Sequence, residues 1–427
     1  MDSMSAPTDL QFGRARLVTR PFVLVTAVAL IFFVYVGMMV PIVPLFIEGP
    51  LDAGEFGIGL TVAVFALTAI MARPVVGRIA DRYGRRVLMV GGALIAAAGG
   101  ALSAHAVSLP QLLALRGLMG IGEAAVFVGA ATLIADLSPR DRRAEGASYF
   151  SVAVFGGLGI GPILGERLLG GDHFARAFTY ASLFAVGGAV VALFAPSRVV
   201  SPDADLDADG DVVDDVTTAG GKRPLIHPVA LLPGLVLACS VAGFAAFSAF
   251  IPEYSRDVGL SESGGLFALY ALVSLAVRVV GARWPEQLGP RRAVTIGMGN
   301  ILVSLLILAL VPTTGALWVA AAVMGVGVAF NYPSLMALTI NRASDRDRAM
   351  AISSFTMFFE VGSAAGGLVI GSFAQMVGKQ TGFLGGVAFC AIGIWLLRTK
   401  VVPAGTPDAG PVRVPVEQIQ YIPVAGD

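Results

Sequence analysis

The stretch RPVVGRIADRYGRR, Arg73–Arg86, decides how the rest of the chain is read. It follows one long apolar run and precedes another. Five arginines, one aspartate and two glycines fall within fourteen positions, which predicts a short, tightly turned, positive connection between two hydrophobic helices. Gly77 and Gly84 are expected where helix ends and a turn approach closely, because neither carries a side chain. Arginines just outside a hydrophobic helix mark a cytoplasmic loop.

Working outward, composition agrees with that reading. The 427 residues are 56% hydrophobic and only 14% charged, with a mean hydropathy of +0.80. A soluble domain carries about 25% charged residues. The apolar runs are long enough to cross a hydrocarbon layer of about 30 Å as helices. They are continuous rather than alternating, which argues against a barrel. Formal net charge is zero, so nothing points to nucleic acid. The start, MDSMSAPTDL, is polar, and the first apolar run is too long for a signal peptide. Cys239 and Cys390 sit inside apolar runs and read as packing residues, with no disulfide or metal site expected.

Twelve spans are predicted, at 21–47, 57–80, 87–104, 109–135, 144–170, 175–196, 229–252, 263–284, 292–312, 315–340, 349–375 and 380–397. With both termini cytoplasmic, the cytoplasmic segments hold 22 Lys and Arg against 4 in the outer loops, and that imbalance sets the orientation. The chain also repeats itself at an offset of 205 residues: Arg73 falls on Arg278, Asp81 on Glu286, Gly84 on Gly289 and Arg86 on Arg291. Met119-Gly120-Ile121-Gly122 falls on Met324-Gly325-Val326-Gly327, and Gly157 and Gly161 on Gly362 and Gly366. One offset across three regions predicts two six-helix halves of the same orientation. The organisation expected is a cytoplasmic segment 1–20, a first bundle 21–196, an acidic cytoplasmic linker 197–228, a second bundle 229–397 and a cytoplasmic tail 398–427. Asp205, Asp207, Asp209 and Asp211 in the linker match half of a calcium loop, but Val216 stands where the bidentate Glu belongs, so a plain solvated linker is expected.

Gly77, Asp81, Arg82, Gly84, Arg85 and Arg86 resemble the signature of the major facilitator superfamily in the loop between its second and third helices. The resemblance implies an all-α integral membrane protein, with twelve transmembrane helices in two pseudo-symmetric six-helix bundles and a substrate site between them. It also implies that this loop latches the two halves on the inside. Asp81 would face the positive dipole end of the span that begins near Arg348. Glu286 and Arg291 would take the corresponding place in the second half.

The fourth span carries Arg116 and Glu123 in an apolar run, seven residues apart and so about 10 Å along one face. A charge at the bilayer centre costs at least about 2.5–3.5 kcal/mol, so each is expected to face a cavity or a partner. Arg116-Gly120-Gly122 resembles a superfamily signature linked to proton coupling, the reading preferred over Arg116 merely tying helices together through carbonyls. Glu123 is the best candidate for carrying the proton. Glu360 in the eleventh span is the second, with a hydrogen bond to a neighbouring Ser or Thr as its bland reading. The fifth span holds Gly157, Gly161, Pro162 and Gly165, small residues that let another helix come close. It resembles the antiporter signature of superfamily exporters, with Glu166 a departure where a second Gly is usual. Arg73 and Arg278, near the inner ends of their spans, are expected to snorkel to the interface. By the resemblance, the first, fourth, seventh and tenth spans line the cavity. The candidates there are Phe32, Tyr35, Met38, Phe127, Phe244, Phe247, Asn331 and Tyr332, with Arg116 and Glu123, as adaptable apolar contacts and a few polar ones.

The function expected is secondary transport, with protons entering as amphipathic small molecules leave. No cofactor is implied beyond the proton gradient, and no obligate protein partner. The location expected is the cell membrane. A sugar or metabolite transporter on the same fold, or a non-transporting sensor or scaffold, are the alternatives. An enzyme is not expected: no His, Cys or acidic cluster has metal-ligand or triad spacing, and no phosphate-binding GxxxxGK[ST] loop is present.

Overall fold

In hydrocarbon a backbone must satisfy its own hydrogen bonds, so the long apolar runs take the helical form. The structure, a computed structural model, describes residues 17–139, 143–171, 173–197, 227–281, 284–343 and 348–403. The expected linker and most of both terminal segments lie outside the described residues. The helices are α1 (Arg20–Glu48), α2 (Gly54–Tyr83), α3 (Arg85–Ser103), α4 (Leu109–Leu137), α5 (Arg143–Leu169) and α6 (Phe174–Ala192). The second set is α7 (Pro228–Asp257), α8 (Gly264–Val280), α9 (Trp284–Leu288), α10 (Pro290–Leu310), α11 (Thr314–Arg342), α12 (Arg348–Val377) and α13 (Lys379–Leu396). Eleven are long and apolar enough to cross a membrane, and α8, with 17 residues, supplies a shorter twelfth. There is no strand among the described residues.

Two local expectations change. The eighth span was expected to reach 284, but α8 ends at Val280. The Gly281 amide donates to the Val277 carbonyl at 2.8 Å, and a side chain at 281 would run into the Trp284 ring. Trp284 instead opens the five-residue α9 and stacks on Phe330 at 6.3 Å. The connection around Arg73–Arg86 is also tighter than expected. α2 runs through Tyr83 and α3 starts at Arg85, so Gly84 alone makes the turn, at φ +90°. A side chain there would lie 2.5 Å from Ser197 Oγ. Gly77 is inside α2, and a Cβ would meet nothing within 4 Å, so no close approach explains it.

The internal repeat appears as repeated contacts. Small residues let helices pack backbone to backbone. In the first half Gly161 of α5 lies against Gly37 of α1, where an added Cβ would stand 2.5 Å from the Gly37 Cα. In the second half Gly366 of α12 lies against Ala242 of α7, with the corresponding distance 2.8 Å. Gly122 meets the Gly92 carbonyl between α4 and α3, and Gly327 meets the Gly297 carbonyl between α11 and α10. Each pair is separated from its counterpart by the same 205 residues. The two sets of helices meet through α2 against α12, α5 against α8 and α1 against α7.

The end of the molecule holding Gly84, Arg85 and Arg86 is its basic end. There Arg85 pairs with Asp136 at 3.0 Å and Arg86 donates to the Ala195 carbonyl, both contacts within the first half. At the far end the halves are tied together. Glu166, at the end of α5, accepts from the Ser263 amide at 2.7 Å, from the Ser263 hydroxyl and from the Gly264 amide at the start of α8. Gln375, near the end of α12, accepts from the Phe56 amide of α2 at 3.2 Å. Lys379 joins Glu48 of α1 at 3.2 Å to Asp257 of α7 at 3.0 Å, and also pairs with Glu253.

Candidate functional site

Two polar groupings lie between the halves, each built on an arginine. The first uses α2, α4 and α12. Arg73 of α2 does not snorkel: its guanidinium pairs with Glu360 of α12, and both side chains are largely buried, at 14% and 11% exposure. The guanidinium carbon stands 5.5 Å from the centre of the Phe127 ring of α4. Glu123, at the midpoint of α4, is buried and lies within electrostatic range of both Arg73 and Glu360. Glu123 Oε2 and Glu360 Oε2 have no hydrogen-bond partner. Glu360 thus pairs with the Arg73 guanidinium across the halves, and Glu123 lies within its electrostatic range, in a setting where unpaired charge is costly.

Arg116 does not join them. Its guanidinium lies over Phe65 at 4.7 Å and has Tyr35 as its electrostatic neighbour. The Tyr35 hydroxyl donates to the Ala96 carbonyl at 2.6 Å. Arg116 and Glu123 share a helix and both face α2, but Arg116 lies over Phe65 there while Glu123 lies in range of Arg73 and of Glu360 on α12.

The second grouping surrounds a cavity of ≈ 100 Å³ lined by α1, α5, α7, α8, α11 and α12. Sites for drug-sized ligands occupy about 300–1,000 Å³, so in this conformation the chamber is closed to such a molecule. Of the expected lining residues, Phe244, Asn331 and Tyr332 face it. Phe32, Tyr35, Met38 and Phe247 do not line the chamber. They are buried within their own halves: Phe32 and Tyr35 pack ring to ring, Met38 backs onto Gly165, and Phe247 packs edge-on to Phe267. From α1 the chamber takes Val40 instead, and from α5 Phe155, Leu158 and Pro162. Asn331 donates to Ser240 Oγ at 2.6 Å, and its Oδ1 has no partner. Arg278 of α8, also expected to snorkel, lines this chamber, with its guanidinium 4.4 Å from the Phe155 ring centre.

The small residues of α5 serve close packing. Gly157, Gly161 and Gly165 lie against the backbone of α1 at Phe33, Gly37 and Met38. Pro162 borders the chamber. Of the expected latch, the side chains of Asp81 and Glu286 and the residues before Arg348 lie outside the described residues. Arg82 lies over Tyr83, and Arg291 is half-buried at the start of α10. Sequence reasoning missed Glu166 as a tie between halves, and missed Arg73 and Arg278 as interior groups. For the two arginines the available signal was their recurrence at one offset inside apolar spans.

The model of the Major Facilitator Superfamily matches residues 25–318 and 234–422. An uncharacterized MFS-type transporter of Salmonella typhimurium is 26% identical over 379 residues, covering 86% of this chain and 93% of the relative. Multidrug resistance protein 1 of Bacillus subtilis is 26% identical over 256 residues, 58% of this chain and 62% of that protein. The crystal structure of the human organic anion transporter MFSD10 matches with a TM-score of 0.64 at 20% identity, over 88% of this chain and 99% of that one, a likeness of fold alone. Twelve apolar helices, halves that repeat contact for contact, a chamber between them and a family match across most of the length converge: the chain is a multi-pass membrane transporter belonging to the Major Facilitator Superfamily.

Proposed function

We propose that this transporter exports amphipathic small molecules in exchange for protons by alternating access. The observation that carries the reading is the group Arg73, Glu123 and Glu360. Of two buried carboxylates from opposite halves, Glu360 pairs with the Arg73 guanidinium at the seam between α2 and α12, and Glu123 lies within electrostatic range of both. Binding one proton makes the three groups neutral together. Rocking the halves apart separates Arg73 from Glu360, and a released carboxylate then needs a proton or water. Opening is thereby tied to protonation.

The basic end is cytoplasmic in this reading, and the far end, with Glu166 and Lys379, faces outward in the cell membrane. No cofactor takes part. The electrical component of the gradient supplies about 2.3 kcal/mol per charge per 100 mV. The close α1–α5 packing and the name of the Bacillus subtilis relative favour export over import.

The test uses cells depleted of their own exporters and preloaded with a fluorescent amphipathic dye. Efflux should stop when an uncoupler collapses the proton gradient, and should be lost in Glu360→Gln with the protein still in the membrane. Efflux that persists at full rate with the uncoupler contradicts proton coupling.

A further inference from the structure

The internal repeat sets the two arginine groupings side by side. At the common offset of 205, Arg73 corresponds to Arg278, Phe127 to Tyr332, Glu360 to Phe155 and Glu123 to Val328. The second copy keeps the cation and the aromatic ring and loses both carboxylates. In the first copy Glu360 occupies the guanidinium of Arg73. In the second copy Phe155 offers only its ring face to Arg278, and the Arg278 Nε and Nη2 have no hydrogen-bond partner. Both replacing residues, Phe155 and Val328, line the chamber, and so does Arg278. The positions that carry acids around Arg73 are, around Arg278, cavity wall.

A buried guanidinium with unused N–H groups is a strong donor to a carboxylate, because charge-assisted bonds would satisfy its unpaired donors. The rest of the chamber fixes the shape of that ligand. Phe155, Phe244 and Tyr270 supply aromatic faces, and Asn331 Oδ1 is one free acceptor. We infer that Arg278 is the substrate-recognition residue and that the transported molecules are amphipathic organic carboxylates, whose carboxylate takes the place that Glu360 fills beside Arg73. This rests on the chamber between the halves being the substrate site. Arg116, expected among the cavity-lining residues, instead lies over Phe65 and does not line the chamber.

The test is equilibrium binding to the purified full chain in detergent, by calorimetry, with three probes of matched shape: 4-phenylbutyrate, 4-phenylbutanol and 4-phenylbutylamine. The carboxylate should bind at least tenfold more tightly than the alcohol, and the amine most weakly. Arg278→Gln should bring the carboxylate to the affinity of the alcohol and leave the alcohol within twofold. Arg278→Lys should keep part of the preference. Phe155→Glu, which gives the Arg278 grouping the acid that Glu360 supplies to Arg73, should abolish carboxylate binding with Arg278 still present. Equal affinity of alcohol and carboxylate for the unaltered protein, or a preference that survives both Arg278→Gln and Phe155→Glu, overturns the assignment. Failure of all three probes to bind overturns the chamber as the substrate site, and the assignment with it. None of these readouts depends on a proton gradient, so loss of proton coupling alone leaves them unchanged.

Discussion

Replacing Glu166 by glutamine should open the far end. The Glu166 carboxylate accepts from the Ser263 amide, the Ser263 hydroxyl and the Gly264 amide, and so caps α8 from the other half of the molecule. Glutamine keeps one oxygen for Ser263 but turns an NH2 group toward the Gly264 amide. One charge-assisted hydrogen bond is lost, about 1.5–3 kcal/mol. The favourable placement of a negative charge at a helix N-terminus goes with it, about 0.3–1 kcal/mol. The sum, about 2–4 kcal/mol, corresponds to roughly a 30- to 1,000-fold rise in the far-end-open population at ~1.4 kcal/mol per decade. The assay places a single cysteine at Val40, on the chamber wall, in a Cys239→Ser, Cys390→Ser background. Its rate of reaction with a membrane-impermeant maleimide applied from the far side reports that population. Gln375→Ala removes one exposed, neutral contact and should raise the rate only a few-fold, in line with about 0.5–1.5 kcal/mol. A Glu166→Gln labelling rate within twofold of the parent would refute Glu166 as a tie between the halves.

Other outcomes follow from the same contacts. Arg73→Gln or Glu360→Gln alone leaves a buried charge unpaired and should destabilise the purified protein by about 3–5 kcal/mol, whereas the double substitution should recover part of the loss. Strictly additive shifts in thermal unfolding would show that the pair is not coupled. Gly161→Ala forces a methyl to 2.5 Å from the Gly37 Cα and should cost about 1–3 kcal/mol. Gly77→Ala meets no neighbour and, within α2, should stabilise the helix by about 0.5–1 kcal/mol. Equal melting temperatures for these two variants would contradict the packing described.

The membrane class and the repeat were legible in the sequence because they rest on long-range averages: continuous apolar runs, and one offset shared by Arg73/Arg278, Gly84/Gly289 and Gly161/Gly366. Which way a side chain points was not. α1 is apolar around its whole circumference, so no stripe separates Phe32, Tyr35 and Met38, buried in the first half, from Val40, which faces the chamber. The snorkelling expected of Arg73 rested on its distance from the helix end. Its true partner, Glu360, is 287 residues away, and no local pattern identifies it. Gly281 illustrates the opposite failure: the expected span ran past it to Trp284, while the backbone stops the helix at Val280. Glu166 was visible as a departure from a glycine pattern, yet its role needed the start of α8 to be placed beside it.

Proton coupling through Glu123 and Glu360 is the claim on which the functional reading stands. It is tested most directly in proteoliposomes by imposing a pH gradient and recording substrate accumulation together with the internal pH. The intact protein should accumulate substrate and dissipate the gradient in step, while Glu123→Gln and Glu360→Gln should each bind substrate but lose gradient-driven accumulation. Full gradient-driven accumulation in both variants would contradict the assignment of the proton to these two carboxylates.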